Sequence, residues 1–382
     1  MGRRDGRSQR LTAASVLAVL AVCLVVFGLV AAARTIRPAQ RPTLGPPATG
    51  RAAAASSRPA QPQAKPQTTA PPAAEITLAF AGDVHFEGRV AQRLAADPAS
   101  ALGPVASVLS RADLAMVNLE TSITERGNPE PKQFYFRAPP TAFVALRSAG
   151  VDVATMANNH GVDFGLLGLY DTLAAIRDTR FPVVGIGQTA AQAYAPWYAD
   201  VRGHRVAILA ASQIRDHTLA AWTAGPGSPG IASAFSDRLV AAVGEARRRA
   251  EVVVVYVHWG QEGRACPLPE QEALAQRLAD AGADAVVGTH AHLLLGAGWL
   301  GPTYVSYGLG NFVWWRDNAY SNDTGVLALT FRGRRVVAAA LVPGAIDSRG
   351  VPVRPAGAEA SRILAGWDEV RGCAGLAGKP PG

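Results

Sequence analysis

Between residues 75 and 368, short runs of apolar residues, many of them β-branched, alternate with longer amphipathic stretches rich in Ala, Leu and Arg. The runs have the length of buried strands, and the stretches have the length and apolar spacing of surface helices. This alternation predicts an α/β fold with helices covering the sheets, ending in an antiparallel hairpin at Gly333, where two strands follow one another without a helix. The predicted strands are ITLAFAG (76–82), LAMVN (114–118), DVATM (152–156), VAILAA (206–211), VVVVYVH (252–258), AVVG (285–288), TYVSYG (303–308), GVLALTF (325–331) and RVVAAALV (335–342). The predicted helices include FVALRSAG, LYDTLAAIRDT, DRLVAAVGEARRRA and PEQEALAQRLADAG.

The first 74 residues do not share this pattern. Residues 11–33 form an uninterrupted run of apolar and small residues, which at about 1.5 Å per residue is long enough to cross the hydrocarbon core of a bilayer. Four arginines precede it between residues 3 and 10, and by the positive-inside rule they place the N-terminus in the cytoplasm. A cleaved signal peptide is the alternative, because residues 31–33 are small, but the apolar core of such a peptide usually spans about 7–15 residues. The sequence predicts a single-pass signal anchor in the cell membrane, with the C-terminal domain extracytoplasmic.

Composition divides the chain into five predicted parts. Residues 34–74 consist largely of Pro, Ala, Gln, Thr and Arg and have almost no large apolar side chain, so they are predicted to be a disordered stalk. The five parts are a cytoplasmic basic tail (1–10), the transmembrane anchor (11–33), the stalk (34–74), a globular domain (75–370) and a flexible tail (371–382). Cys266 and Cys373 fall on the oxidising side of the membrane, where they can form a disulfide or remain two unrelated thiols.

Most of the positive charge lies outside the predicted domain. The whole chain has a formal net charge of +8, but the first 74 residues contain ten of the 37 basic residues and one of the 29 acidic residues. The remaining 27 basic and 28 acidic groups nearly balance. Because nucleic-acid binding needs a basic surface that displaces phosphate counterions, this balance argues against nucleic acid as a partner.

Five of the seven histidines lie at the C-terminal ends of predicted strands or one turn beyond them. In α/β sheets this edge is where ligands bind, because loops leaving the strand ends carry function on a rigid base. The segments concerned are Gly82-Asp83-Val84-His85, Asn118-Leu119-Glu120, Asn158-Asn159-His160, His258-Trp259-Gly260 and Gly288-Thr289-His290-Ala291-His292. The two other histidines, His204 and His217, precede a strand and lie in a loop, and are predicted to be structural or solvated.

These residue types favour a metal centre. In Asp-x-His and His-x-His the two side chains point the same way when the segment is extended, so each pair can chelate a metal. Mixed His, carboxylate and Asn donors suit divalent ions such as Zn, Mn or Fe, and a carboxylate between two ions bridges them at about 3.5–4 Å. A lone Gly-Asp after a strand is usually a turn and a lone buried histidine is more often a core residue, whereas His-x-His after a strand is a stronger signal. The occurrence of all five in order favours the metal centre.

The order of these motifs resembles the signature of the calcineurin-like metallophosphoesterases, which implies a four-layer α/β/β/α sandwich. A closer resemblance is to the bacterial capsule-synthesis (poly-γ-glutamate) CapA/PgsA family. It rests on GDVHFEGRV, VNLETSIT, FRAPP, ANNHGVDFG, VHWGQE, GTHAH and YGLGNFVW, which together extend over nearly all of residues 75–320.

The resemblance implies a role for each residue of the set. One divalent metal is expected on Asp83, His85 and His292, and a second on Asn159, His258 and His290. Glu120 is expected to bridge them, where a phosphoesterase usually has Asp. His160 is expected to be the catalytic acid or transition-state stabiliser, close to both metals without binding either. Asn118, Asn158 and Asn311 are expected behind the ligands, Asn311 either holding a ligand histidine or simply shaping a turn.

Two functions follow from the resemblance. The first is metal-dependent hydrolysis of a phosphoester or an amide, for which a γ-glutamyl amide fits the family and the location outside the cell. The second is a non-catalytic scaffold that exports or anchors the polymer with the same fold. The expected partners are an anionic surface polymer such as poly-γ-glutamate, the membrane, and other capsule-synthesis membrane proteins.

Overall fold

The computed structural model describes residues 74–381. The predicted basic tail, transmembrane anchor and stalk lie outside the described residues, apart from Ala74 at the end of the stalk. Among the described residues, no helix has both the length and the apolar character that a membrane crossing requires.

The described part of the chain alternates strands and helices. The strands are β1 (Glu75–Val84), β2 (Leu114–Leu119), β3 (Ser122–Ile123), β4 (Arg137–Ala138), β5 (Val153–Thr155), β6 (Val183–Val184), β7 (Ile186–Gly187), β8 (Trp197–Val201), β9 (His204–Ser212), β10 (Gly230–Ile231), β11 (Val252–His258), β12 (Ala285–Thr289), β13 (Ala297–Leu300), β14 (Thr303–Ser306), β15 (Asn311–Val313), β16 (Asp323–Arg332), β17 (Arg335–Ile346) and β18 (Pro352–Val353). The α-helices are α1 (Arg89–Ala96), α2 (Ala106–Leu109), α3 (Thr141–Ser148), α4 (Gly165–Thr179), α5 (Ala190–Ala193), α6 (His217–Trp222), α7 (Asp237–Arg247), α8 (Pro269–Asp280) and α9 (Gly357–Val370).

Most of the strands form two mixed sheets. In the first sheet the order is β18, β17, β16, β1, β2, β5 and β6, with β15 also paired to β1. In the second sheet the order is β13, β14, β12, β11, β9 and β8. The parallel neighbours at the centre of each sheet, such as β1 with β2 and β11 with β12, end at the same edge.

Three apolar clusters hold these layers together. One lies between the sheets, where Phe80 of the first is clustered with Val254 of the second. A second covers the outer face of the first sheet with residues such as Phe143 of α3. The third covers the outer face of the second sheet with residues such as Leu274 of α8. The layers therefore follow the order helices, sheet, sheet, helices, and the fold is of the mixed α/β class.

The two sheets are joined directly beneath the strand ends that carry the predicted site. Parallel pairing of β1 with β2 sets Asp83 beside Asn118. The hydroxyl of Tyr256, two residues before His258 in β11, donates a 2.6 Å hydrogen bond to the carbonyl of Ala81, two residues before Asp83 in β1. The ends of strands from both sheets consequently meet in one place.

Gly82 allows a close backbone approach next to Asp83. A Cβ atom at Gly82 would lie 1.9 Å from the carbonyl oxygen of Gly310, which is far inside van der Waals contact. The same carbonyl accepts a 3.0 Å hydrogen bond from the amide of Asp83. The absence of a side chain at residue 82 therefore allows the backbone of Asp83 to pair with Gly310, and this pairing fixes the position of the Asp83 carboxylate.

The structure contains every strand predicted from the sequence, with ends that differ by a few residues. The terminal hairpin between β16 and β17 is antiparallel, and Gly333 adopts a positive φ of 57° in its turn. Helices α1, α2, α5, α6 and α9, strands β8, β13 and β15 and several two-residue strands are additional to the prediction, and most of them are shorter than the elements that sequence periodicity identifies.

The last described residues pack on the domain, although the sequence predicts a flexible tail from residue 371. Cys373 is bonded to Cys266, so the disulfide alternative holds in the structure. Ala377 pairs with Trp299 through two backbone hydrogen bonds. The small residues of this segment gave no sign of packing, because its attachment depends on a partner more than 100 residues away.

Candidate metal centre

Polar side chains from both sheets converge at the joined strand ends. Asp83 lies in β1 and His85 just after it, Glu120 follows β2, Asn159 and His160 follow β5, His258 ends β11, and His290 and His292 follow β12. All of them are buried except His292, which is partly exposed. The structure thus brings every predicted ligand to one region.

Nε2 of His258 lies at the centre of one group of donor atoms. Oδ1 of Asn159 is 2.7 Å away, Nδ1 of His290 is 3.1 Å away and Oε1 of Glu120 is 3.5 Å away. Donor atoms bound to one ion at about 2.0–2.2 Å lie roughly 3–3.5 Å from one another. The spacing of these four atoms is therefore close to that of a ligand set.

A second group surrounds the carboxylate of Asp83. Its Oδ2 lies 3.4 Å from Nδ1 of His292. One donor atom each from Asp83, Glu120 and His258 lies within 4.8 Å of the others, and the same holds for Glu120, His290 and His292. Glu120 is common to these two trios, as a bridging carboxylate would be, and each trio combines residues that the resemblance assigns to different ions.

His85 is at the margin of this cluster. Its Nε2 accepts a 3.3 Å hydrogen bond from the amide of Trp315, whereas its buried Nδ1 has no partner among the described residues. His85 belongs to neither of the groups that could hold an ion. Its assignment as a ligand remains a prediction.

Asn118 and Asn158 support the carboxylates from behind. The amide nitrogen of Asn118 donates to Oδ1 of Asp83 at 2.8 Å and to Oε2 of Glu120 at 3.4 Å. Asn158 donates in turn to Oδ1 of Asn118 at 2.9 Å and fixes its orientation. By contrast, within residues 74–381 Asn311 donates only a long 3.4 Å bond to the carbonyl of Ser321, and its Oδ1 is buried without a partner there.

His160 is oriented by a carboxylate and a buried lysine. Its Nδ1 lies 2.5 Å from Oδ2 of Asp163, which leaves Nε2 facing the cluster at 4.0 Å from Oε1 of Glu120. Lys132 donates to the other oxygen of Asp163 at 2.5 Å and also to the backbone carbonyl of Asn159. One ammonium group thus holds both the partner of His160 and the backbone of a predicted ligand.

Aromatic rings fix the planes of the histidines. Phe136 is stacked between His85 and His160, with ring centroids 4.4 and 4.1 Å away. Trp314 contacts His85 edge-on at 4.2 Å and His292 at 4.6 Å. These rings form part of the wall of an open cleft of about 270 Å³, here called the histidine cleft. Its lining includes Phe134, Phe136, His160, His292, Trp315 and Arg316.

Backbone strain is concentrated at the His-x-His segment. His290 has a φ of 95° and His292 a φ of 58°, in the left-handed region that residues other than glycine seldom adopt. Such conformations cost about 1–3 kcal/mol each and persist where the surrounding structure fixes them, frequently at functional sites. This turn brings both imidazoles close to the carboxylates of Asp83 and Glu120.

Burial disfavours the charged forms of four histidines of the cluster and of Glu120. Desolvation is the main cause of the lowered pKa values of His85, His258 and His290, and neighbouring histidines lower them further. Desolvation likewise raises the pKa of Glu120, and the adjacent Asp83 carboxylate adds to the effect. Burial lowers the pKa of His160 as well, although Asp163 opposes the shift. Neutral imidazoles beside crowded carboxylates are what a cation-binding site presents.

The unpartnered atoms fit divalent cations. Nδ1 of His85, Oε1 of Glu120, Nδ1 of His292 and Oδ1 of Asn311 are buried and have no hydrogen-bond partner among the described residues. Buried polar atoms nearly always have a hydrogen-bond partner, so four unpartnered atoms in one cluster indicate a site for a bound ion or molecule. Imidazole nitrogens and carboxylate oxygens are the donors that Zn, Mn and Fe take.

The two histidines outside the set pair with carboxylates elsewhere. Nδ1 of His204 lies 2.9 Å from Oε2 of Glu251, and its Nε2 lies 2.6 Å from the carbonyl of Ala74. His217 lies 2.5 Å from Oε2 of Glu130. Both are engaged in local contacts, as expected for residues that do not bind a metal.

Sequence reasoning assigned no role to Asp163, Lys132 or Phe136. Asp163 follows His160 by three residues within the segment ANNHGVDFG, so the His-x-x-Asp spacing was a usable signal in the sequence. Lys132 and Phe136 lie in a loop between β3 and β4 that has no periodicity. Nothing in the local sequence shows that this loop reaches the cluster.

Comparison with known proteins adds an independent finding. Residues 77–315 match the family model described as bacterial capsule synthesis protein PGA_cap. The chain is 29% identical over 258 residues to the PGA biosynthesis protein CapA of Bacillus subtilis, which covers 66% of this chain and 67% of that protein. It is 32% identical over 216 residues to the capsule biosynthesis protein CapA of Bacillus anthracis, covering 56% of this chain and 52% of the relative. The chain therefore spans about half the length of the second relative.

Among solved structures, the chain is similar to one described as a novel phosphatase from Mycoplasma pneumoniae. The TM-score is 0.45 and the sequence identity is 14%, with 77% of this chain and 97% of that chain covered.

Proposed function

The chain belongs to the bacterial capsule synthesis protein family PGA_cap, and from this premise we propose that it is a metal-dependent hydrolase acting on poly-γ-glutamate or a related surface polymer. The observation that carries the proposal is that atoms of Asn159, His290 and Glu120 lie within 2.7–3.5 Å of Nε2 of His258. A second divalent ion is proposed between Asp83, His85, His292 and the bridging Glu120. Zn, Mn and Fe all suit these donors.

The chain's own residues position a proton donor over the cluster. When bound, the two cations would supply the positive charge that polarises the bond under attack and acidifies an attacking water. Nδ1 of His160 donates a hydrogen bond to the carboxylate of Asp163, so Nε2 is the atom directed at the reacting groups. As the water oxygen bonds to the carbonyl carbon or to phosphorus, Nε2 accepts a proton from that water, and as the bond to the amine or alkoxide breaks, Nε2 passes this proton to the departing group. Lys132 keeps Asp163 in place through the reaction.

The proposed location is outside the cytoplasm. The predicted signal anchor at residues 11–33 would hold the domain at the outer face of the cell membrane, and the stalk would set its distance from the bilayer. The Cys266–Cys373 bond is in keeping with an oxidising compartment. An anionic polymer made at the membrane would then meet the histidine cleft as it leaves the cell.

Hydrolysis is tested with the purified full-length chain. After removal of metal and reconstitution with Mn, Zn or Fe, it is given a γ-linked glutamate oligomer and, separately, bis(4-nitrophenyl) phosphate. Cleavage of the oligomer that depends on metal supports the proposal, and cleavage of the phosphodiester alone redirects it to phosphoesters. Turnover of neither substrate with any of the metals favours the non-catalytic export or anchoring scaffold, for which capsule attachment in cells is the readout.

Replacing either histidine of the His-x-His segment by alanine is expected to remove about one metal equivalent. His290 and His292 follow the strand that carries them, so the sheet holds them in place and the fold should survive their loss. Metal analysis of His290→Ala and His292→Ala, alongside circular dichroism, checks both statements. His204→Ala is the matched control, because that histidine pairs with Glu251 away from the cluster. Wild-type metal content in both variants would end the two-ion proposal.

A further inference from the structure

An arginine beside the histidine cleft has two aromatic neighbours and no acidic partner. The guanidinium carbon of Arg316 lies 4.5 Å from the centre of the Phe134 ring and 4.8 Å from that of Trp315. Among residues 74–381, no carboxylate forms an ion pair with it and no side-chain hydrogen bond occupies its donors. The charge is therefore positioned but not neutralised.

The nearest acid along the chain is engaged elsewhere. Oδ2 of Asp317 lies 3.7 Å from the guanidinium of Arg89, and its Oδ1 accepts a 3.0 Å hydrogen bond from Asn322. Arg89 also donates to the backbone carbonyl of Arg316 at 2.7 Å and to that of Ser348 at 2.6 Å. One arginine thus draws the neighbouring carboxylate away from Arg316 and at the same time fixes the backbone that carries it.

Arg316 is also close to the metal centre. The amide of Trp315 donates to Nε2 of His85, and Arg316 is the next residue, about 3.8 Å further along the Cα trace. The histidine cleft is lined by both Arg316 and His292. The acid in the same lining is Glu262, which is 62% exposed and lies 4.0 Å from Nε2 of His292. A polymer bound in the histidine cleft would therefore contact both Arg316 and the residues proposed to hold the metals.

Ring stacking leaves the donors of a guanidinium available. Aromatic faces contact the flat side of the group, whereas its N–H donors lie in the plane and point outward. This planar fork matches a carboxylate or phosphate with two parallel hydrogen bonds. Contact of the group with two rings also reduces the side-chain entropy that is lost on binding.

We propose that Arg316, held against Phe134 and Trp315, is an anion subsite of the histidine cleft and binds the free carboxylate of the glutamyl residue next to the bond that is cleaved. This inference rests on the proposed function and names the group that the site recognises. Every residue of a γ-linked glutamate chain carries a free α-carboxylate, so an anion subsite in the same cleft as His292 selects this polymer over a neutral peptide. A phosphodiester polymer offers the same charge and is the alternative source.

The test measures binding and turnover of three oligomers by the metal-loaded full-length chain. They are a γ-linked glutamate oligomer, the same oligomer with its α-carboxylates amidated, and a glycerol phosphate oligomer. Arg316→Ala is expected to raise the Kd and the KM for the first by about 10- to 100-fold, the scale of a charge-assisted hydrogen bond, with kcat changed little. The amidated oligomer should bind the wild type as weakly as the unmodified oligomer binds Arg316→Ala, and the variant should lose nothing further. Arg316→Lys should recover part of the loss.

Matched controls separate this subsite from charge in general. Arg205→Ala removes another exposed arginine that is stacked on a ring, Tyr198 at 5.0 Å, at the opposite end of β9 from the site, and should bind the oligomer as the wild type does. Its hydrolysis of the oligomer should also equal that of the wild type.

The outcomes distinguish this proposal from the one on which it rests. Unchanged affinity of Arg316→Ala for the glutamate oligomer overturns the subsite even if hydrolysis is found. Loss of affinity for the glycerol phosphate oligomer alone overturns its assignment to carboxylate. If the wild type binds the oligomer without cleaving it, hydrolysis fails as the proposed function, and the Kd values still decide the role of Arg316.

Discussion

Replacing His160 with alanine is expected to lower the rate of metal-dependent hydrolysis by about 10²- to 10⁴-fold, the usual contribution of a positioned proton donor. Its Nε2 faces Glu120 at 4.0 Å without joining either group of donor atoms that could hold an ion. Metal content should therefore remain at the wild-type level. Steady-state kinetics and metal analysis on the same preparation measure the two effects.

The Asp163→Asn variant tests whether the orientation of His160, and not only the presence of its imidazole, is needed for the reaction. The variant keeps the imidazole but replaces the carboxylate that accepts at Nδ1, and a loss of about 10- to 100-fold in kcat is expected for such a supporting residue. His204→Gln serves as the control, because His204 pairs with Glu251 at the opposite end of the sheet. Full turnover in His160→Ala would show that this histidine takes no part in the chemistry, and loss of bound metal would make it a ligand.

Replacing Glu120 with glutamine is expected to prevent binding of both ions while making the metal-free protein more stable. Glu120 is fully buried next to Asp83, and desolvation together with that carboxylate raises its pKa. An amide of the same shape removes the repulsion, so the free energy of unfolding without metal should rise by ~1 kcal/mol. The bridging negative charge is lost at the same time, and neither ion keeps its full ligand set.

Thermal unfolding with and without added metal measures both halves of this prediction. A single ion at 100 times its Kd stabilises the wild type by about 2.7 kcal/mol, whereas Glu120→Gln should gain little. Without metal the order of the two melting temperatures should reverse. Glu245→Gln is a suitable control, because that carboxylate lies on α7, is 56% exposed and pairs with Arg248 away from the cluster. A Glu120→Gln protein that is less stable without metal would mean that the carboxylate has a structural role.

The sheet core and the order of the candidate ligands could be predicted because both depend on local sequence. Continuous runs such as VVVVYVH are buried on both faces, and a strand is the element that such a run forms. The Asp-x-His and His-x-His spacings indicate metal binding from local sequence alone. The helix at Gly357–Val370 was not predicted, and only Ile363 and Trp367 along it are buried.

The surroundings of the ligands could not be predicted, since they depend on contacts between distant segments. Lys132 reaches Asn159 from 27 residues away, and Trp315 meets His85 from 230 residues away. No periodicity or spacing encodes such contacts. The same holds for the attachment of the C-terminal segment through Cys373, which joins a residue 107 positions earlier.

The position of Trp314 gives the chain a built-in optical sensor. Its indole lies against His85 and His292, two of the residues proposed to hold one ion, and is 6% exposed. A cation that draws electron density from those imidazoles changes the electric field at this indole, and its emission should shift as the ion binds. Occupancy of that ion can therefore be followed by intrinsic fluorescence, without a label and without a known substrate.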